Sequence, residues 1–222
     1  MPSKSTSEPA ERATGYGLAL HTTSPELGLA IDNFAGDARV ATWNLGRSIS
    51  THLHAYLTDF LTPQTWNEIA FIAVAKGPGS FTGTRLGVVT ARTLAAELDV
   101  PVFGVSSLAA LALDCQKGDR AIPPGVDLAV EMPAAREQLF TAIYQVDGRG
   151  ETVAALQPDT VETPEAWQQI LESRPRDYYQ IRSTPELGST VTSVLALAYR
   201  EWKTGKRSHW SEVVPFYGQQ PV

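Results

Sequence analysis

The sequence is short of several things. It has one cysteine, two methionines and four histidines in 222 residues. Cys115 has no partner in the chain, so a disulfide framework and a cysteine metal site are both excluded, and a reducing cytoplasm is the compartment expected. Long apolar runs are missing too: none approaches the roughly 20 residues that span a bilayer, so no membrane segment is expected. Residues 1–14 (MPSKSTSEPAERAT) lack the apolar stretch of a signal peptide and are expected to be a disordered tail. Positive charge is in deficit, with a formal net charge of −6, which argues against independent binding to nucleic acid. The one basic cluster (Arg200, Lys203, Lys206, Arg207, His209) is the composition of a solvated helix end. What is present is 43% hydrophobic residues, enough to bury a core in one domain or two small lobes.

Tyr16 to Thr22 and Leu27 to Asn33 read as a hairpin about Ser24-Pro25-Glu26, and Ala38 to Leu45 as a third strand. Leu53, Tyr56, Leu57, Phe60 and Leu61 follow helical spacing between Ile49 and Leu61, where Thr62-Pro63 ends the run. Ala70 to Ala75 is a continuous apolar strand, expected to be covered on both faces. A helix from about Arg85 to Leu98, a strand Val102 to Val105 and a helix after Ser106 follow. A similar order returns in the second half. Asp127 to Glu131, Gln138 to Val146 and Glu151 to Leu156 read as strands, and Thr163-Pro164 opens a helix. A short strand at Tyr178 to Ile181 and a helix from about Ser189 to Trp202 complete it. Two related ribonuclease-H-like lobes in tandem imply an α/β actin-like architecture. The expected divisions are 15–110 and 111–222, with the last helix able to return to the first lobe.

Between the apolar strand and its helix lies Gly77-Pro78-Gly79-Ser80-Phe81-Thr82-Gly83. Proline at the second position and glycine at the third predict a type II turn. Beyond it, Ser80, Thr82, Thr84 and Arg85 stand where helix N–H groups accept a cap or an anion. The P-loop pattern fails because Thr84 and Arg85 follow Gly83, and the dinucleotide fingerprint lacks its third glycine. A tight structural turn and an anion site both remain open. Gly87, Ala91 and Ala95 recur every fourth residue and form a face that admits another backbone, either the chain's own sheet or a subunit.

Catalytic patterns are absent. Gly104-Val105-Ser106-Ser107-Leu108 lacks the last glycine of a nucleophile elbow. His52 and His54 stand two apart in a helix and diverge, whereas helical metal pairs stand four apart. His21 ends the first strand, where ribonuclease-H-like phosphotransferases carry an aspartate for the metal-phosphate group. As a neutral imidazole it cannot replace that carboxylate on magnesium. A satisfied strand-end histidine is the structural alternative.

The run Ala73 to Leu108 (AVAKGPGSFTGTRLGVVTARTLAAELDVPVFGVSSL) resembles the central signature of the TsaB family, also called YeaZ. LALHTTSPELGLAI at Leu18 to Ile31 and the ending PFYGQQPV extend the resemblance over most of the chain after residue 15. It implies a subunit with no catalytic residues and no metal of its own, acting in the formation of threonylcarbamoyladenosine beside the anticodon of tRNAs. The implied partners are a TsaD-like catalytic subunit, a TsaE-like ATPase, a second copy when TsaD is absent, and tRNA only through the complex. No cofactor is implied for this chain, ATP or ADP entering only at the level of the complex. The implied partner interface lies on the first-lobe helices, at Leu53, Tyr56, Leu57, Phe60, Gly87, Ala91, Leu94 and Ala95. Departures from the family pattern remove chemistry. His21 replaces an aspartate, Ala134 stands for the acid of Asp-Ala-Arg, Gln219 takes the place of an arginine, and Ile49 and Leu53 stand where the catalytic relative has histidines. An autonomous actin-like kinase or ATPase gripping phosphate with Gly77 to Gly83 is the alternative.

Overall fold

Alternation in β1 (Tyr16–His21) sends Leu18 and Leu20 to one side of a sheet and Ala19 to the other, and the same segregation of large from small side chains organises the first lobe. The computed structural model describes residues 15–117, 122 and 125–218. The expected N-terminal tail and Gln219 lie outside the described residues. β1 pairs antiparallel with β2 (Glu26–Asp32), which pairs antiparallel with β3 (Ala38–Asn44). On its other side β1 runs parallel to β4 (Ile69–Ala75), and β4 parallel to β5 (Val102–Val105). The order is β3-β2-β1-β4-β5.

One face is covered by α1 (Ile49–Leu61) and α2 (Phe81–Leu98), which meet Leu18, Leu20, Leu29, Ile72 and Val74. The C-terminal end of α1 is tied to the edge strand by Arg39, whose guanidinium donates to the carbonyls of Phe60 (2.8 Å) and Leu61 (3.3 Å) and to Gln64 Oε1 (2.7 Å). The small side chains Ala19, Ala30, Ala73 and Ala75 face α5 (Val191–Lys203), which arrives from the far end of the chain. Covered on both faces, β4 is buried at every residue, as its continuous apolar run predicts.

The second sheet repeats the pattern without a fifth strand. β6 (Asp127–Pro133), β7 (Leu139–Val146) and β8 (Val153–Glu162) are antiparallel, β9 (Tyr178–Arg182) lies parallel to β6, and the order is β8-β7-β6-β9. α3 (Ser107–Gln116) buries Leu108, Ala109 and Ala112 against Leu128, Val130 and Phe140. α4 (Pro164–Glu172) buries Trp167 and Leu171 on the opposite face, its N-terminus capped by Thr163 Oγ1, which accepts from the Ala166 N–H at 3.2 Å. Both sheets place three antiparallel strands first and a parallel strand beside the first of them. This is the ribonuclease-H-like order, and its repetition gives the actin-like α/β architecture. The lobes are joined by exchange: α3 follows β5 yet packs on the second sheet, while α5 follows β9 and packs on the first.

Candidate functional site

The loop after β4 folds differently from a type II turn. That turn would close with the Ser80 N–H on the Gly77 carbonyl. Instead the Ser80 N–H donates to Thr23 O (2.7 Å), and Gly77 O accepts from the Ser107 N–H (2.9 Å). Long-range partners outcompete the local bond, and Gly79 sits at φ 153° rather than near +80°. The helix begins at Phe81, four residues before the expected Arg85, so Phe81, Thr82 and Gly83 are its first turn. Ser80 is the cap, its Oγ accepting from the Gly83 N–H at 3.3 Å, the place an anion would take.

The glycines are spaced for contact with the β1–β2 corner. A Cβ on Gly79 would stand 2.3 Å from Thr23 O, one on Gly83 2.0 Å from Thr22 O, and one on Gly87 2.2 Å from Thr22 Oγ1. Thr22 Oγ1 donates to Gly83 O (2.7 Å). On its other side, the corner is held by Ser24 Oγ, which accepts from the Leu187 N–H (3.2 Å), and Glu26 Oε2, which accepts from the Gly188 N–H (2.9 Å). Pro78 and the rest of the loop therefore seal this corner.

His21 lies at its edge with no solvent exposure, and neither ring nitrogen has a hydrogen-bond partner in the structure. The expectation of a satisfied histidine is thus corrected: it is buried and unsatisfied. Burial pushes its pKa down to about 3, so the ring is neutral at physiological pH. Such a ring offers magnesium no carboxylate. Across the second sheet Ala134 is likewise without a donor, so these positions do not fit a magnesium-phosphate group. Among the described residues no three of His, Cys, Asp and Glu gather as a metal would require.

A polar network that sequence reasoning missed joins the lobes nearby. Ser106 caps α3, its Oγ accepting from the Leu108 and Ala109 N–H groups at 3.1 and 3.2 Å. It also lies 3.2 Å from Tyr144 OH, which donates to Asp159 Oδ1 at 2.6 Å. Burial raises the Asp159 pKa, opposed by hydrogen bonds from Ser106 and Tyr144 and by the Lys76 charge. Burial and the Asp159 charge raise that of Tyr144. Beside it Thr23 Oγ1 and Ser107 Oγ stand 3.0 Å apart. These hydroxyls hold strand ends together, and only the Ser106 cap had a local sequence signal.

The implied interface residues mostly point inward. Leu53, Leu57, Phe60, Ala91 and Ala95 are buried in the first core, Gly87 meets Thr22, and Tyr56 and Leu94 are half-buried. The small-residue face is used by the chain's own sheet and corner, because close packing there leaves no room for longer side chains. The outward faces of these helices carry other residues, among them His52, His54, Phe81, Arg85 and Val89. The basic cluster is engaged within the chain: Arg200 pairs with Glu151, Lys206 with Glu201, and Arg207 lies over Trp202. In the second lobe the β6–β7 corner is exposed, with Arg136 and Glu137 at φ 59° and 58°, and borders a cavity of about 360 Å³ reaching Thr163, Pro164 and Glu165.

A family model described as TsaD, tRNA N6-adenosine threonylcarbamoyltransferase, matches residues 59–182. The chain is 35% identical over 167 residues to the tRNA threonylcarbamoyladenosine biosynthesis protein TsaB of Bacillus subtilis, covering 72% of this chain and 67% of that protein. It is 31% identical to the Escherichia coli protein of the same name, covering 60% and 63%. Among solved structures, YeaZ from Pseudomonas aeruginosa superposes with a TM-score of 0.73 at 22% identity, over 91% of this chain and 99% of that one, which shows a shared fold. Another, titled an uncharacterized protein with similarity to peptidase YeaZ from Pseudomonas aeruginosa, gives 0.75 at 22%, over 92% and 100%. With the signature loop, the two-lobed fold and these relatives in agreement, the chain belongs to the TsaB (YeaZ) family.

Proposed function

We propose that this chain is a non-catalytic partner subunit in the formation of threonylcarbamoyladenosine in tRNA, binding and supporting a TsaD-like catalytic subunit. The observation that carries the reading is the sealed first corner. His21, where relatives place an aspartate, is buried and neutral, and the signature loop is committed to Thr22 and Thr23 rather than open to a phosphate. The relatives' names supply the pathway, and the TsaD-type family match supplies kinship with the catalytic subunit. In this reading residues 15–110 and 111–222 are the two lobes, and the protein works in the cytoplasm. ATP or ADP enters only with the complex, a TsaE-like ATPase joins it, tRNA is met through it, and the chain self-associates when the TsaD-like subunit is absent.

The test is co-elution on size exclusion with the TsaD-like subunit of the same organism, at micromolar concentration with ATP. A shared peak is expected. Separate peaks, or ATP turnover by the isolated chain that is lost in Gly79→Val, would overturn the reading.

A further inference from the structure

We propose that the outer ridge of α2 and the C-terminal segment 208–218 form a single docking face for an acidic, apolar-centred surface of the TsaD-like subunit. This rests on the assembly reading above and places the contact on side chains that the implied interface does not include.

Half of the large apolar side chains exposed among the described residues lie here: Phe81, Val89, Trp210 and Val214. The rest are scattered over strands β3, β8 and β9. Phe81, Arg85 and Val89 recur every fourth residue and form one stripe along the helix. The segment is fixed beside it. Ser208 O accepts from the Val102 N–H (3.3 Å), the Phe216 N–H donates to Lys76 O (2.7 Å), and Val213 is buried between them. Its aromatics bracket the stripe: Tyr217 packs on Phe81 with ring centroids 4.5 Å apart, and Trp210 lies 5.3 Å from the Arg92 guanidinium. The ridge from Phe81 to Arg92 is about 16 Å long at the helical rise.

Charge selects the occupant. α2 carries no carboxylate before Glu97, and neither Arg85 nor Arg92 forms an ion pair among the described residues. Uncompensated arginines beside exposed apolar groups, on a chain of net charge −6, call for carboxylates opposite. A two-fold contact with a second copy centred on this ridge would set arginine against arginine. RNA phosphates would meet Glu97 and Asp99 at one end and Glu212 beside Trp210.

The experiment is a calorimetric titration of the full chain into the TsaD-like subunit, with Trp210→Ala, Arg85→Glu, the exposed Val214→Asp and, as a remote control, Leu156→Ser. Trp210→Ala is expected to weaken binding about 30-fold, the scale of an interface hot spot. Arg85→Glu should weaken it about 10-fold at low salt, and less at about 0.5 M where charges are screened. The control should stay at wild-type affinity. If Trp210→Ala lowers the melting temperature, Val214→Asp, expected to weaken binding about 10-fold, decides in its place. Wild-type binding that all three ridge variants retain overturns the docking face and leaves the assembly reading standing, whereas absence of wild-type binding overturns both. Variants that disturb only self-association, or only binding of an anticodon stem-loop RNA, reassign the face and also overturn the proposal.

Discussion

The two lobes turn the same corner in opposite ways. In the first, Thr22 to Ser24 between β1 and β2 are buried and bound on two sides, by the glycine-rich start of α2 and by Leu187 and Gly188. In the second, Ala134 to Gln138 between β6 and β7 stand largely open, with two side-chain-bearing residues held at positive φ. The difference lies in the segment that leaves the fourth strand of each lobe. After β4 the chain supplies glycines that can lie against the corner. After β9 it turns away to cover the other sheet, and nothing seals the second corner. A hairpin corner in this fold is closed by its neighbour, and the neighbour's lack of side chains decides how closely.

The comparison breaks most violently at Gly79. Gly79→Val combines a disfavoured φ with a Cβ driven into Thr23 O and should cost about 4 kcal/mol, read by urea denaturation. Further along the sealing helix, Ala91→Phe should cost about 3 kcal/mol by overpacking the core, visible in the isolated chain by the same measurement. An effect confined to partner binding would instead place Ala91 outside the core. His21 sharpens the contrast through pH. Its folded pKa of about 3 lies below the unfolded value near 6.5, so below that value the unfolded chain takes up a proton the folded chain refuses. Stability is therefore lost as pH falls from about 6.5 towards 3, with about 2 kcal/mol gone between pH 7 and 5. In His21→Leu that part of the acid loss should vanish from paired denaturation curves at the two pH values. The smallest effect belongs to the open corner: Glu137→Gly should raise stability by about 0.5 to 1 kcal/mol by relieving positive φ, measured as a higher melting temperature.

Strands and helices with strong periodicity were legible from residues alone. Ile49–Leu61 has the expected bounds, and β4 begins one residue earlier than its apolar run suggested. β8 was harder. Pro158 reads as a stop, yet the strand continues to Glu162 because it is an edge strand with a register shift near that proline, and an edge needs no N–H there. That irregular stretch includes Asp159, hydrogen-bonded to Tyr144, so the polar link between the lobes was invisible as well. The stripe Gly87, Ala91, Ala95 could not be assigned from sequence, since a chain's own sheet and a foreign helix make the same demand for small side chains. The type II turn failed for a related reason: local preference cannot register a distant carbonyl, and Thr23 O, which lies far back along the chain, is such a competitor.

The exchange of helices between the lobes also has a consequence for synthesis. On the ribosome, all five strands of the first sheet exist before residue 106 is added, but the helix that covers Ala19, Phe71 and Ala73 spans residues 191–203. One face of that sheet stays bare while the whole second lobe is being translated. The nascent first lobe cannot finish on its own, and its folding waits for nearly the last residues of the chain to leave the exit tunnel.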